Sequence, residues 1–194
     1  MVIYLSIIFL SIIFISVMNI IFTMSMFNLS APYIFFIVFI SAVINFIIDA
    51  IVALVIHKLP KKWFNPYNSI YKVWGFERKF YENIGIKRWK DRVPEMGQLC
   101  NFKKDKIASI NDNEYIYKFL EETCYAEVLH FLSAILGFAV IFVFPMKYML
   151  YFTLPVALVN CFLQVLPIFI QRYTRPKLIK LYERNLRNAL VSNC

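Results

Sequence analysis

The chain has 194 residues, of which 60% are hydrophobic, 18% aromatic and only 17% charged, against roughly 45–50% apolar and 25% charged in an ordinary soluble domain. The excess sits in long unbroken runs, which excludes a soluble globular enzyme and implies an integral membrane protein solvated largely by lipid. The net charge of +9, from 21 Lys+Arg against 12 Asp+Glu, must gather where the chain meets water, so its placement reports orientation.

Val2 to Met24 carries no charge and is long enough to span a bilayer. With no basic stretch before it and no small-residue cleavage site after it, this run reads as a retained helix rather than a signal peptide. The polar break Asn28-Leu29-Ser30-Ala31-Pro32, whose sequon-like start reads as a turn, leads to a second run from Tyr33 to Ile56 with a single acid, Asp49. A third run, Val128 to Phe144, and a fourth, Met149 to Ile170, are separated only by Pro145-Met146-Lys147, a connection fit for a helical hairpin. The expected fold is an all-α integral membrane protein, a single membrane domain of four transmembrane helices (2–24, 33–56, 128–144 and 149–170) in two hairpins. A cytoplasmic amphipathic, interfacial segment (57–127) and a basic tail (171–194) complete it. Lys147 is the only basic residue outside that segment and tail, so the positive-inside rule puts both termini in the cytoplasm.

The central segment is too rich in aromatics, among them Trp63, Trp74, Phe76, Phe80 and Trp89, to be disordered. Between Ser69 and Ile84 the apolar positions Ile70, Val73, Trp74, Phe80, Tyr81 and Ile84 follow helical spacing, with Lys72, Glu77, Arg78, Lys79 and Glu82 opposite; this predicts a helix lying in the interface. Asn111 or Asp112 is placed to cap a further helix opening with Glu114, which meets no breaker before Gly137 and is able to run into the third span. Cys100, Cys124, Cys161 and Cys194 have no paired spacing, so neither a disulfide framework nor a zinc site is expected. No metal-ligand set, glycine-rich phosphate loop or internal repeat is present.

Polar groups inside a membrane are expensive and mark sites. Here they are Asn45 and Asp49, Glu127 and His130, and Asn160 and Gln164, each pair spaced to share one helix face. Asp49 lies seven residues from the cytoplasmic end of its span, roughly 10 Å at the helical rise, and all six can reach one polar cavity in the cytoplasmic half. The amides also suit interhelical hydrogen bonding, and Glu127 with His130 also suits a snorkelling pair, but a carboxylate one turn before a histidine can fix an imidazole for general-base work. Most basic residues suit anionic head groups, and nucleic acid is not an expected partner. Arg88, Lys90, Arg172 and Arg175 adjoin the helices that carry the polar groups, where they can clamp a phosphate-bearing donor.

Four ordered blocks carry a resemblance: Ile70-Tyr71-Lys72 with Gly75-Phe76-Glu77; Arg88-Trp89-Lys90 followed by Gly97-Gln98-Leu99; Glu122-Thr123 with Ala126-Glu127 and His130; and Gln171-Arg172-Tyr173 with Arg175-Pro176. Over Ile70 to Arg187 the sequence resembles the glycosyl-4,4'-diaponeurosporenoate acyltransferase family. One position departs: Gln164 stands where the family pattern has Asn, and the Asn lies a turn earlier at Asn160. The resemblance implies transfer of a fatty acyl group to a sugar hydroxyl of a glycolipid in a bacterial cell membrane. The expected chemistry has His130, oriented by Glu127, as general base. Asp49 is a further candidate, and Tyr173, Asn160 or Gln164 supply oxyanion donors. Arg88, Trp89, Lys90, Gln171, Arg172 and Arg175 are candidates for the donor site. No tightly bound cofactor is expected; acyl-CoA or acyl-carrier protein serves as co-substrate. Two other readings keep the same residues, a small membrane methyltransferase or reductase using a nucleotide cofactor, and a non-catalytic lipid-binding or accessory subunit.

Overall fold

The computed structural model describes residues 2–93 and 112–192. Gly97-Gln98-Leu99, Cys100, Asn111 and Cys194 lie outside the described residues. The described chain is all-helical: α1 (Val2–Phe27), α2 (Ala31–Ile56), α3 (Gly75–Asn83), α4 (Ile86–Trp89), α5 (Asn113–Leu136) and α6 (Leu154–Ser192), with short 3₁₀ turns between. Four segments are long and apolar enough to cross a membrane: Leu5–Phe27, Ala31–Ile56, Asn113–Phe142 and Met146–Leu190. Two compact units divide the chain, residues 1–57 with 129–165, and residues 58–128 with 166–194.

In the first unit, Asn28 takes a left-handed φ of 52°, which asparagine tolerates better than most residues, and the chain reverses there between α1 and α2. Pro32 then occupies the first turn of α2, where its missing N–H costs nothing. The core of this unit joins Ile12 and Ile15 of α1, Ile34, Ile37 and Val38 of α2, and Tyr148, Phe152 and Val156. A π-helical turn over Met149–Thr153 precedes α6, and buried Asn19 donates to Tyr151 O at 2.9 Å and to Ile15 O at 2.8 Å. With no water in a bilayer core to satisfy such a carbonyl, this amide supplies the donor, and Thr23 Oγ1 in turn donates to Asn19 O at 2.7 Å. The outward faces of both helices, Phe14, Phe22, Phe46 and Leu54 among them, are exposed, as a lipid-solvated surface requires.

In the second unit the amphipathic helix is shorter than its periodicity predicts. Ser69–Tyr71 forms a 3₁₀ turn and Lys72 to Trp74 is extended, so α3 begins only at Gly75. The reason is local: the Glu77 side chain accepts the Trp74 N–H at 3.2 Å, half of a capping box, and Tyr71 is turned inward, its hydroxyl donating to Trp63 O at 2.9 Å. Gly85, at φ +65°, ends the helix in the left-handed conformation that glycine adopts without strain. Tyr81 and Ile86 then pack with Ile170 and Tyr173. Ile116, Phe119 and Leu120 of α5 pack with Leu178 of α6. Asp112 caps α5 by accepting the Tyr115 N–H at 3.0 Å. The basic tail is not a separate element, because α6 runs unbroken from Leu154 to Ser192 through Pro167 and Pro176.

Candidate active site

The first unit holds a relay of three side chains from three helices. Gln164 of α6 donates its amide N–H to Asp49 Oδ2 of α2 at 2.6 Å, and its carbonyl Oε1 lies 2.6 Å from His130 Nδ1 of α5. An amide whose nitrogen serves a carboxylate can offer the imidazole only its oxygen, which accepts. Nδ1 therefore carries a proton, and the ring's basicity resides at Nε2. Asn45 and Asn160, one helical turn from Asp49 and Gln164 respectively, meet at Gly137. A Cβ built there would stand 2.4 Å from Asn160 Nδ2 and 3.2 Å from Asn45 Oδ1. Gly137→Ala is thus expected to force the amides apart and to lower stability by about 1–3 kcal/mol, the range of overpacked interiors, which thermal unfolding in detergent would register. In the sequence Gly137 registers only as a helix breaker; its close approach to two amides is visible in three dimensions alone.

The second unit holds a charged network. Arg172 binds Glu77 through two nitrogens, Nε to Oε2 at 2.7 Å and Nη2 to Oε1 at 2.9 Å, and reaches Glu127 Oε1 at 2.5 Å and Lys72 O at 3.0 Å. Arg175 is 0% exposed. Its Nε and Nη2 donate to Thr123 Oγ1 and Thr123 O, each at 2.9 Å, its Nη1 to Tyr71 O at 3.2 Å, and Nη2 pairs with Glu127 Oε2 at 2.6 Å. Its guanidinium also lies 5.1 Å from the Tyr71 ring centroid. Each Glu127 oxygen thus carries an arginine, while the imidazole of His130 is held at Nδ1 by Gln164. The expectation that Arg175 grips a donor phosphate is revised, since all three of its nitrogens are spent on buried protein acceptors. Arg172 is likewise committed to two carboxylates.

The remaining candidates are dispersed over this unit. Gln171 and Tyr173 are buried, the Tyr173 hydroxyl without a hydrogen-bond partner and its ring 3.7 Å from the Lys177 ammonium. Arg88 is exposed, Lys90 pairs with Asp91, and Trp89 Nε1 donates to Ile84 O at 3.2 Å. Of the six intramembrane polar residues, five belong to the first unit and Glu127 to the second.

Hydrogen bonds from Arg172 hold the Glu77 carboxyl below its ordinary range, against the upward push of burial. A carboxylate lowered in this way stabilises the fold fully above its unfolded pKa, and the contribution is lost as pH falls through the folded value. Glu77→Gln is accordingly expected to flatten the acid limb of a melting-temperature profile; an unchanged limb would show that the pair contributes nothing. Burial, with the Glu77 charge behind it, pushes the Tyr81 hydroxyl up to about 12, so it stays protonated and donates to Glu77 Oε2 at 3.1 Å.

A family model described as glycosyl-4,4'-diaponeurosporenoate acyltransferase matches residues 60–184. The chain belongs to this family. It is an acyltransferase of glycolipid type, and the methyltransferase, reductase and non-catalytic readings are set aside. No curated protein and no solved structure matches the chain. Within the glycosyl-4,4'-diaponeurosporenoate acyltransferase match lie the whole charged network, His130, Asn160 and Gln164; Asn45 and Asp49 precede it, so the relay joins matched and unmatched parts of the chain.

Proposed function

We propose that this acyltransferase is a membrane-bound O-acyltransferase that moves a fatty acyl group from an acyl thioester to a hydroxyl of a glycolipid at the cytoplasmic leaflet. The observation that carries the reading is the Asp49–Gln164–His130 relay, found in a chain whose family acts in acyl transfer. His130 Nε2 takes the proton of the acceptor hydroxyl as its oxygen bonds to the thioester carbonyl carbon. The carbonyl oxygen then bears the negative charge, the carbon–sulfur bond breaks as the carbonyl re-forms, and the departing thiolate takes the proton back from the imidazolium. Gln164 and Asp49 keep the ring in the required tautomer throughout. The exposed Arg88 suits the phosphates of an acyl-CoA or of a carrier-protein arm. A glycolipid whose sugar lies at the membrane surface suits the interfacial aromatics, Trp63, Trp74 and Phe76, all exposed.

Mass spectrometry of lipids from cells with and without the protein tests this directly. A glycolipid heavier by one fatty acyl group, present only with the protein, is the expected result; lipid profiles without such a difference would remove the proposal. The cytoplasmic placement of the charge is checked by labelling Ser30→Cys with an impermeant thiol reagent, which should react from outside intact cells.

A further inference from the structure

A cavity of about 250 Å³ opens in the first unit between α1, α2 and the start of α6. Its wall is aliphatic and aromatic except where Ser11, Asn45, Asp49 and Asn160 reach it. From Phe39 to Asp49, both on the wall, is ten residues of α2, about 15 Å at the helical rise, so the space is long enough for a hydrocarbon chain. Two features of it bear on its occupant. Its mouth is open, with Leu5, Phe39, Val43 and Phe46 of the wall exposed, so it offers apolar surface that a hydrocarbon chain covers. Asn45 is only 3% exposed, yet neither its Oδ1 nor its Nδ2 has a hydrogen-bond partner, and beside it the Asn160 amide bonds to Asp49 with a second N–H to offer. A bilayer offers no water to satisfy the Asn45 amide. A long apolar chain that ends in a carbonyl covers the apolar wall and accepts from the Asn45 Nδ2, and the Asn45 Oδ1 is left for a donor such as the acceptor hydroxyl.

We infer that this cavity is the acyl-chain site of the acyltransferase, with the chain lying along α1 and α2 and its carbonyl oxygen bound by the side-chain amides of Asn45 and Asn160. This rests on the proposed O-acyl transfer and adds to it the donor's binding mode. The amides bind the carbonyl before reaction and hold the developing oxyanion as the acceptor oxygen attacks. Gly137, by lacking a Cβ, lets the two amides close on one oxygen. Asp49 both lines the cavity and, through Gln164, anchors His130, so the cavity wall and the base share one chain of hydrogen bonds. The wall contributed by α1 and α2 precedes residue 60, where the family match begins. Selection of chain length by α1 and α2 therefore draws on residues outside the matched region, while Val156, Val159, Asn160 and Leu163 of the wall lie within it.

The full chain in lipid nanodiscs is to be tested with saturated fatty acids of graded length for binding, and with the corresponding acyl-CoAs and a membrane lipid extract for transfer. Ser11→Phe and Val43→Phe fill the cavity from two different helices. Each should move the preferred chain to shorter members, with a loss of about fourfold in affinity for each methylene excluded. Asn45→Leu should leave the chain-length preference unmoved, weaken binding of every chain alike, and lower kcat by about 10²- to 10³-fold, the effect of losing one oxyanion donor. Length profiles unmoved by both filling variants, or a parent protein that binds no fatty acid, would overturn the cavity assignment even where transfer is normal. Full kcat in Asn45→Leu would overturn the carbonyl assignment. A parent that sorts fatty acids by length yet acylates nothing would uphold the chain site and refute the O-acyltransferase mechanism instead.

Discussion

Purified His130→Ala is expected to fold as the parent does and to transfer acyl groups about 10²- to 10⁴-fold more slowly, the usual worth of a positioned general base. Assayed by mass spectrometry of the acylated lipid, the loss should fall on kcat, because the imidazole acts on the moving proton rather than on binding. Gln164→Leu retains the imidazole and removes both the carbonyl oxygen 2.6 Å from Nδ1 and the N–H that Asp49 accepts. The ring then loses the hold on its tautomer, and kcat should drop by about tenfold or more, since a misassigned tautomer alone disables a general base. Full transfer by His130→Ala would eliminate this mechanism; full transfer by Gln164→Leu would confine Gln164 to interhelical bonding.

Arg175→Met is expected to cost about 3–5 kcal/mol, the range for breaking a buried ion pair by removing one partner, and to lower the melting temperature in detergent accordingly. The guanidinium serves Thr123 Oγ1, Thr123 O, Tyr71 O and Glu127 at once, so its loss strips donors from three neutral acceptors as well as a charge partner. Arg175→Lys should rescue little, because one compact ammonium cannot present a planar fork to acceptors on two sides. Combining Arg175→Met with Glu127→Gln should cost less than the sum of the two by about 0.5–3 kcal/mol, the coupling typical of groups in one network. A melting temperature unchanged in Arg175→Met would show that the network is bystander to stability.

Charge and hydropathy locate the apolar runs well because each is a property of consecutive residues. The helix over Ser69 to Ile84 illustrates where such reading stops. Its apolar spacing is helical throughout, yet the inward turn of Tyr71 and the Glu77 cap delay the helix to Gly75. Both depend on partners that periodicity does not represent. The second run and the fourth show the same limit in the site. Helical spacing places Asn45 with Asp49 and Asn160 with Gln164 on common faces, but it cannot say that Gln164 bridges Asp49 to His130. Nor does it separate Arg88, which is exposed, from Arg175, which is fully buried; both read as cations beside an apolar helix. Glu77 and Thr123 stood in the blocks that resemble the family, though nothing in their neighbours named the arginines they serve. Asn19 of the first run is not among the six polar groups that helical pairing singles out, and its bond to the Tyr151 carbonyl is visible only in the fold.

By itself, then, the sequence determined that this is an all-helical membrane protein with four long apolar segments, because lipid demands unbroken apolar length and chain composition alone records it. It also determined the acyltransferase family, because ordered blocks of residues survive as a linear pattern. The tertiary structure decided which polar groups act together, dividing the three helix pairs into a histidine relay beside an apolar cavity and an arginine network that holds its own unit. That division turns on distances of a few ångströms between residues as far apart as Asp49 and Gln164. In a low-dielectric interior such distances decide whether a buried charge or amide is a liability, a strut or a catalyst.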